Sequence, residues 1–193
     1  MSKLSGGQIA GGNPTRGRVT NDYYATPPST TRAILDEVEL VGSIYEPACG
    51  EGHISEVLKE YYPDSKIVST DLIDRGYGMG GIDFLEDEYV EEVDNVITNP
   101  PFKYAKEFIY KALELANDKV VMLARVQLLE SVARKKMFEE TPLKYVYVFS
   151  GRQSTWRNGE QFDAEGKPWA STMALAWFIW EQGYEGEPVV RWL

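Results

Sequence analysis

The sequence predicts an α/β fold: a doubly wound sheet, mostly parallel, with a C-terminal antiparallel hairpin. Through residue 140, short apolar runs typical of buried strands alternate with helical patterns. Two β-rich runs, Leu143 to Phe149 and Leu175 to Trp180, then follow one another. Acidic residues at three successive strand ends would meet at one carboxyl edge of such a sheet, which is where open α/β sheets bind ligands.

Length and composition indicate one domain preceded by an arm. The chain has 193 residues, 43% of them hydrophobic, which suffices for a sizeable core. Residues 1–21 are rich in Gly, Ser, Thr and Asn and have no hydrophobic period, so we expect a flexible N-terminal arm. This arm is either a solvated tail or a basic segment that touches phosphates. Residues 22–193 are predicted to form a single domain.

The charge of the chain is acidic and unevenly distributed. The net charge of −10 and the pI near 4.7 argue against a generic nucleic-acid binder. Residues 1–97 carry a net charge of −11, whereas residues 98–193 carry +1. A polyanion is therefore expected to meet the second half of the chain.

The cysteine and histidine content excludes several kinds of site. The single cysteine, Cys49, rules out an internal disulfide framework and fits a reducing compartment. His53 is the only histidine, so neither a catalytic triad nor a histidine metal site is expected, and we interpret it as the start of a helix. No 18-residue apolar run and no basic-then-apolar leader is present. We therefore expect a cytoplasmic location and no membrane partner.

A short strand and a glycine turn occupy residues 44–53, and a helix follows them. Gly50 and Gly52 allow the backbone to turn sharply and to approach a ligand closely. The third glycine of the dinucleotide fingerprint is absent, as is the Lys-Ser/Thr pair of a phosphate loop. Because Glu46 and Glu51 would repel a pyrophosphate, the turn suits a cationic ligand better.

Two further acids follow along the chain. The predicted strand Lys66 to Asp71 ends about 22 residues beyond the glycine turn, the spacing at which doubly wound folds place an acid on ribose hydroxyls. The glycine-rich segment Arg75 to Gly81 has no phosphate-binding pattern, so we interpret it as a flexible connection. Asp83 then stands directly before the aromatic ring of Phe84.

A polar tetrad follows the apolar run of residues 93–97. Pro100 and Pro101 each bias the preceding residue away from the helical region, so the turn is stiff and extended. The amide of Asn99 and the backbone carbonyls offer acceptors to an amino group, and the ring of Phe102 offers a flat apolar face. A planar, amino-bearing substrate such as a nucleobase fits these groups, although Asn-Pro-Pro is also an ordinary strand-to-helix turn.

Helical patterns cover three other stretches, namely Thr30 to Leu40, Lys103 to Asn117 and Leu128 to Glu140, and Val120 to Leu123 is a predicted strand. Thr26 precedes the first of these helices. Its hydroxyl either caps that helix or faces a ligand.

A long loop, residues 150–173, joins the last two β-rich runs. Loops of this length inside a compact domain are usually functional or disordered. Aromatic residues interleaved with Arg and Lys favour a surface for unstacked bases, and the residues concerned are Arg152, Trp156, Arg157, Phe162, Lys167 and Trp169. Alternatively, Trp156 and Trp169 cover the edge of the sheet.

These motifs, in this order, resemble the class I S-adenosylmethionine-dependent methyltransferases, specifically the amino-group DNA N6-adenine type. The motif order resembles the gamma class, and the size resembles the short enzymes of phages and prophages. The resemblance covers about residues 22–193 and rests on Thr26-Pro27-Pro28, Glu46 through Gly52, Asp71, Asp83-Phe84, Asn99-Pro100-Pro101-Phe102, Arg152, and Gly166 to Leu193 with Trp177, Trp180 and Trp192.

The resemblance implies a Rossmann-like fold and methyl transfer from S-adenosylmethionine to the exocyclic N6 amine of adenine in DNA, with the base flipped out of the duplex. It assigns cofactor binding to Thr26, Glu46, Pro47, Ala48, Cys49, Gly50, Gly52, Asp71, Asp83, Phe84 and Asn99. It assigns catalysis to Asn99, Pro100, Pro101 and Phe102. In that assignment the Asn99 oxygen and the Pro100 carbonyl accept the amine hydrogens and Phe102 stacks on the base. We expect further substrate contacts from Arg152, Trp156, Arg157, Phe162 and Lys167, with Trp156 or Phe162 covering the base.

Several alternatives remain open at this point. Similar tetrads occur in methyltransferases that act on adenine in RNA and on glutamine in proteins, and a catalytically silent S-adenosylmethionine-binding regulator is a further alternative. The chain has no room for a separate recognition domain. Either the arm, residues 150–173 and the helix Leu128 to Glu140 with Arg134, Lys135 and Lys136 provide DNA specificity, or the specificity is loose. A homodimer is also considered, and for a phage protein the location would be the host cytoplasm.

Overall fold

A computed structural model describes residues 23–87, 89, 92–157, 159–169 and 173–193, so the predicted arm 1–21 lies outside the described residues. The helices are α1 (Pro28–Leu35), α2 (His53–Tyr61), α3 (Ala105–Leu115) and α4 (Val132–Glu140). The strands are β1 (Tyr24–Ala25), β2 (Ile44–Glu46), β3 (Ile67–Asp71), β4 (Met79–Gly80), β5 (Val93–Thr98), β6 (Ala116–Arg125), β7 (Leu143–Val148), β8 (Trp156–Arg157), β9 (Leu175–Glu181) and β10 (Val189–Trp192). Short 3-10 helices, Phe102–Tyr104 and Val126–Leu129, precede α3 and α4. None of the helices in these ranges has the length and apolar character needed to cross a membrane.

The main sheet contains eight strands in the order β10-β7-β9-β6-β5-β2-β3-β4. From β2 the chain moves outward to β3 and β4, and then returns to β5 and β6 on the other side of β2, with every one of these pairs parallel. The strand order therefore reverses between β2 and β5. This arrangement confirms the predicted doubly wound, mostly parallel sheet.

The C-terminal strands provide the antiparallel part of the sheet. Strand β9 pairs antiparallel with β6 on one side and with β7 on the other. The predicted antiparallel pairing is thus confirmed. Strand β9 lies inside the sheet, in agreement with its continuous apolar run, which is buried on both faces. Strand β10, which the sequence patterns did not indicate, lies parallel to β7 at the edge.

Helices cover both faces of the sheet. Alternate side chains of β9 point into two separate core clusters: Leu175, Trp177 and Ile179 into the cluster with α1 and α2, and Ala176, Phe178 and Trp180 into the cluster with α3 and α4. The indole N–H of Trp177 donates to the carbonyl of Thr30 at 3.0 Å, and that of Trp180 donates to the hydroxyl of Thr141 at 3.0 Å. Both fully buried indoles therefore have hydrogen-bond partners that link the sheet to its covering layers.

Several predicted elements differ from the structure, and the predicted helix Leu128 to Glu140 begins at Val132. Helix α1 ends at Leu35 and not at Leu40, because the backbone turns at Asp36 and Glu37, where the Glu37 amide donates to the carbonyl of Ile34 at 3.1 Å. Helix α3 ends at Leu115, because Ala116 is extended and already pairs with β5 as the first residue of β6. The segment Arg75 to Gly81 is more than a connection, since β4 lies within it and pairs with β3.

Candidate active site

A cavity of about 580 Å³ lies at the carboxyl ends of β2, β3 and β5, beside the point where the strand order reverses. Cofactor sites typically have volumes of about 300–1,000 Å³. The predicted site residues that line this cavity are Thr26, Glu46, Pro47, Ala48, Cys49, Asp71, Asp83, Phe84, Asn99, Pro100, Pro101 and Phe102. The acids of three successive strand ends therefore lie in one cavity, as the strand pattern predicts.

The side-chain amide of Asn99 is fixed by two hydrogen bonds. Its Nδ2 donates to the carbonyl of Tyr24 at 3.0 Å and to the hydroxyl of Thr26 at 3.1 Å. Because a backbone carbonyl only accepts hydrogen bonds, the atom that faces Tyr24 must be the nitrogen. Both amide hydrogens are used in this way, so Oδ1 is the atom left to accept a hydrogen bond from a ligand.

Thr26 acts on Asn99 and does not cap a helix. Thr26 is 3% exposed. The cap position of α1 is Pro27, which makes no side-chain capping bond. Of the two interpretations offered by the sequence, capping is therefore wrong. The hydroxyl lines the cavity and accepts a hydrogen bond from the catalytic candidate.

The two prolines carry the chain from β5 into α3. Pro101 is extended, with φ −54° and ψ 118°, and its carbonyl accepts a hydrogen bond from the amide of Tyr104 at 2.8 Å. Phe102 begins the 3-10 helix here and is half-buried. The guanidinium of Arg125 lies 4.6 Å from the centroid of the Phe102 ring.

Glu46 provides a buried carboxyl group in the cavity wall. It is 1% exposed, and Ser55 Oγ donates a hydrogen bond to it. The hydroxyls of Ser55 and Ser69 lie 2.6 Å apart, which extends this network. Burial, with a smaller contribution from the charge of Asp71, raises the pKa of Glu46 to about 8. The carboxyl therefore holds a proton at neutral pH until a cation approaches it.

Asp71 connects the end of β3 to the glycine turn. Its Oδ2 accepts a hydrogen bond from the amide of Gly50 at 2.8 Å, and its Oδ1 accepts one from the amide of Ile73 at 2.8 Å. Hydrogen bonds from backbone amides to a carboxylate are charge-assisted and strong. The carboxylate therefore holds the turn in place, in addition to lining the cavity.

The glycines of the turn lie outside the cavity lining. Gly50 and Gly52 have φ values of +56° and +85°, a region that favours glycine. The ring of Tyr23 packs over Gly50 and the ring of Tyr77 over Gly52, so a Cβ at either position would collide with a ring. These contacts account for both glycines structurally, and their cofactor role stays a prediction.

Cys49 has no nucleophilic role at this site. The residue is 4% exposed and is a free thiol. Burial, together with the charges of Glu46 and Asp71, raises the pKa of the Cys49 thiol to about 12. The thiol therefore stays protonated at neutral pH.

Asp83 and Phe84 form another part of the wall. One carboxylate oxygen of Asp83 accepts a hydrogen bond from the amide of Leu85 at 3.0 Å, which stabilises the local turn. The Phe84 ring is 3% exposed and packs 4.8 Å from Phe108 and 5.8 Å from Tyr45, measured between ring centroids. Phe84 therefore joins the cavity to the hydrophobic core.

A two-stranded ribbon covers the site on the N-terminal side. Strand β1 pairs antiparallel with β8, so Ala25 faces Trp156 across the ribbon. The Trp156 ring also contacts the edge of the His53 ring, with centroids 5.4 Å apart. His53 begins α2 as predicted but also lines the cavity, so the interpretation that it only starts the helix was wrong. Burial lowers the pKa of His53, which favours the neutral ring.

Among the predicted substrate residues of the 150–173 loop, Arg152, Trp156, Phe162 and Lys167 lie outside the cavity lining. Trp156 and Arg157 form β8, Arg152 and Phe162 are exposed, and Lys167 lies 3.6 Å from the carboxylate of Glu165. Trp169 is half-buried, and its indole N–H donates to the carbonyl of Glu160 at 2.7 Å. The loop contributes to the site through the ribbon, and the predicted contacts of its side chains with substrate stay untested.

Sequence reasoning missed a second group of lining residues, of which Tyr23, Arg75 and Lys103 matter most. The hydroxyl of Tyr23 accepts a hydrogen bond from the amide of Glu51 at 3.1 Å, and burial raises the Tyr23 pKa to about 12. The guanidinium of Arg75 lies 4.3 Å from the centroid of the same ring. The adjacent tyrosines at 23 and 24, directly before Thr26, were the only sequence signal for this wall.

The arrangement combines two chemical capacities. The carboxyl groups of Glu46, Asp71 and Asp83 suit a ligand with positive charge, and the aromatic and apolar residues suit a flat ring. The amide oxygen of Asn99 adds a fixed acceptor for an amino group.

Solved structures share this fold at low sequence identity. No protein-family model and no curated protein matches the chain. TrmN from Thermus thermophilus is 16% identical with a TM-score of 0.56, and the match covers 87% of this chain and 51% of that chain. The chain thus spans about half the length of that protein.

Two further structures show the same similarity. A SAM-dependent O-methyltransferase from Thermotoga maritima is 14% identical with a TM-score of 0.54, covering 93% of this chain and 72% of that chain. A dimethyladenosine transferase from Plasmodium falciparum is 14% identical with a TM-score of 0.51, covering 82% of this chain and 63% of that chain. The chain therefore has the Rossmann-like α/β fold of the class I methyltransferases.

Proposed function

We propose that this protein transfers a methyl group from S-adenosylmethionine to the N6 amine of adenine in DNA. The observation that carries the proposal is the orientation of Asn99, whose amide hydrogens are bound by Tyr24 and Thr26 so that Oδ1 is left to accept from an amine. The fold, which is that of methyltransferases of known structure, supports the choice of reaction.

The chemistry of the cavity fits the proposed methyl donor. S-adenosylmethionine, when bound, supplies a methyl group on a positively charged sulfur. Glu46 and Asp71 would hold the cationic and ribose parts of the donor, and Asp83 with Phe84 would hold the adenine part. The wall is rich in carboxyl groups, and the half-buried Arg75 is the counterpart available to the carboxylate of the donor. The N-terminal residues Tyr23 to Thr26 would restrict access of water.

The residues of the tetrad act on the acceptor by position and hydrogen bonding. The N6 amine is a poor nucleophile because its lone pair is delocalised into the ring. Oδ1 of Asn99 and the carbonyl of Pro100 would accept its two hydrogens and favour a tetrahedral nitrogen. The prolines keep both acceptors in place without reorganisation.

No ionised side chain has to remove a proton before transfer. The Cys49 thiol stays protonated because burial raises its pKa to about 12. The mechanism therefore depends on preorganised acceptors. Phe102 would stack on the target base and keep its amine directed toward Asn99.

Adenine in RNA is the second candidate substrate. The specific observation in its favour is the structural similarity to a dimethyladenosine transferase. The tetrad geometry serves either nucleic acid, since the exocyclic amine is the same. We prefer DNA because the motif order resembles that of the DNA adenine enzymes and the size resembles that of the short phage and prophage enzymes.

A transfer assay with tritiated S-adenosylmethionine tests the proposal. Duplex DNA, single-stranded DNA, structured RNA and a mixed protein substrate are incubated separately, and the labelled product is digested and identified by chromatography. We expect label in DNA as N6-methyladenine. Label in RNA alone would replace DNA by RNA as the substrate, and label in none of the four would favour a silent regulator. Calorimetric binding of S-adenosylmethionine to the same preparation confirms that an inactive sample is folded.

A further inference from the structure

Arg125 lies beside the tetrad at the carboxyl end of β6, and the proposed reaction gives it no role. It is the last residue of β6, the strand next to β5, and its side chain is exposed. Its guanidinium lies 4.6 Å from the centroid of the Phe102 ring. The side chain on which the target base would stack therefore already has a cation on it.

The most deeply buried part of the cavity wall is acidic, whereas two exposed cations accompany the tetrad. The buried wall contains the carboxyl groups of Glu46 and Asp71, both at least nine-tenths buried. Lys103 follows Phe102 in the chain and lines the cavity, and Arg125 lies over the Phe102 ring. This arrangement suits a substrate whose amine approaches the buried carboxyl groups while an anionic part stays beside Arg125.

The chemistry of a stacked guanidinium identifies that anion. A guanidinium that lies over a ring keeps the N–H groups at its edge free for hydrogen bonding. Among the described residues, Arg125 forms no ion pair with a carboxylate, in contrast to Arg32, which pairs with Glu60. Phosphate oxygens match the spacing of these N–H groups and accept two of them at once.

We propose that Arg125 binds a backbone phosphate adjacent to the target nucleotide while its planar group supports one face of the Phe102 ring. This inference rests on the proposed action on a nucleic acid and adds a residue that recognises the polyanion. A residue that only supported the ring would not respond to the charge of the substrate, which gives the test its readout.

The experiment combines a protein variant with a substrate variant. Arg125→Gln is compared with the unmodified enzyme on single-stranded oligonucleotides in which one phosphate next to the target adenine is replaced by a neutral methylphosphonate. Arg191→Gln is the matched control, since Arg191 is also an exposed arginine stacked on an aromatic ring, 4.5 Å from the centroid of Tyr145, with two strands between it and β6.

For Arg125→Gln we expect KM for the oligonucleotide to rise about tenfold, with kcat and the Kd for S-adenosylmethionine little changed. The slope of log KM against log salt should fall by about 0.7, the value for one lost contact to a single strand. Neutralising the contacted phosphate should raise KM of the unmodified enzyme and leave KM of Arg125→Gln unchanged. Arg191→Gln should behave like the unmodified enzyme.

Three outcomes separate the possible failures. If the unmodified enzyme methylates the oligonucleotide but Arg125→Gln keeps its full salt slope, or if neutralising either flanking phosphate affects both proteins equally, the phosphate contact is refuted while the proposed function stands. If the unmodified enzyme labels no nucleic acid, the proposed function fails and this inference fails with it. A fall in kcat alone would identify Arg125 as a support for Phe102 only.

Discussion

The Asn-Pro-Pro-Phe turn and the 150–173 loop are both predicted to face the substrate, but they differ in whether their residues line the cavity. All four residues of the turn line the cavity. Of the predicted substrate residues of the loop, the four whose side chains the structure describes (Arg152, Trp156, Phe162 and Lys167) do not, and the loop instead forms β8, which pairs with β1. A rigid local sequence thus fixes its own position, whereas a long loop takes its position from whatever strand it pairs with.

The comparison also shows that the two regions are connected. Strand β1 pairs with the loop through Ala25 and Trp156, and its neighbours Tyr24 and Thr26 hold the amide of Asn99. The loop therefore acts on the turn through the ribbon. The following predictions test how sharp this division of roles is, beginning with the change of largest expected effect.

Asn99→Ala should lower kcat by about 10³-fold, because it removes the fixed acceptor for the amine. The Kd for S-adenosylmethionine should change by no more than about twofold, since the carboxyl wall is intact. Single-turnover transfer and calorimetry measure the two quantities. An equal loss of kcat and of affinity for S-adenosylmethionine would mean that the turn has only a structural role.

Asp71→Ala should weaken binding of S-adenosylmethionine by about 100-fold. The substitution removes the carboxylate proposed to hold the ribose, a charge-assisted bond worth about 1.5–3 kcal/mol. It also removes the acceptor of the amides of Gly50 and Ile73, which holds the glycine turn in place. Asp71→Asn retains one acceptor and should lose less. Unchanged calorimetric affinity in a folded Asp71→Ala protein would show that the end of β3 does not belong to the cofactor site.

The affinity for S-adenosylmethionine should rise between pH 6 and pH 8 by up to about tenfold per pH unit. Burial raises the pKa of Glu46 to about 8, so below that pH the carboxyl must lose its proton to pair with the cationic sulfur. Binding then releases a proton and strengthens as the pH rises, until the free protein is itself ionised above its pKa. Glu46→Gln should flatten the profile, as should S-adenosylhomocysteine, whose sulfur is neutral. A steep profile that survives Glu46→Gln would assign the proton to another group.

Thr26→Val should lower kcat by about 3- to 10-fold, the value of one neutral hydrogen bond. The hydroxyl holds the nitrogen of Asn99 at 3.1 Å, and Thr26→Ser should restore most of the rate. A change confined to the Kd for S-adenosylmethionine would instead place Thr26 on the cofactor alone.

Trp156→Ala should raise KM for the nucleic acid about threefold and leave the Kd for S-adenosylmethionine unchanged. The Trp156 ring contacts the His53 ring beside the ribbon, and an aromatic pair of this kind is worth about 0.5–1.5 kcal/mol. Phe162→Ala, at an exposed position, is the matched comparison. A larger effect at Phe162 would identify it as the residue that covers the base.

The sequence predicted those features that local chemistry determines. The doubly wound order followed from alternating strands and helices, and Glu46, Asp71 and Asn99 followed from their positions at strand ends. Strand β10 was missed because Val189 to Trp192 follows a Gly- and Pro-containing turn and is exposed, with no alternation of burial.

The rest depends on tertiary contacts that no local pattern contains. The contact of Thr26 with Asn99 spans 73 positions along the chain, and Trp156 meets His53 only because β8 pairs with β1. Arg125 is the last residue of a strand that was predicted to end at Leu123, so the sequence did not predict its contact with Phe102.

The central claim is that a fixed amide presents an adenine amine of DNA to a methyl donor. The most direct measurement is mass spectrometry of N6-methyladenine in the DNA and RNA of a bacterial strain without adenine methylation, expressing either the unmodified protein or Asn99→Ala. The account predicts N6-methyladenine in DNA with the unmodified protein and none above background with Asn99→Ala. Modified adenine in RNA alone, or equal levels with both proteins, would contradict it.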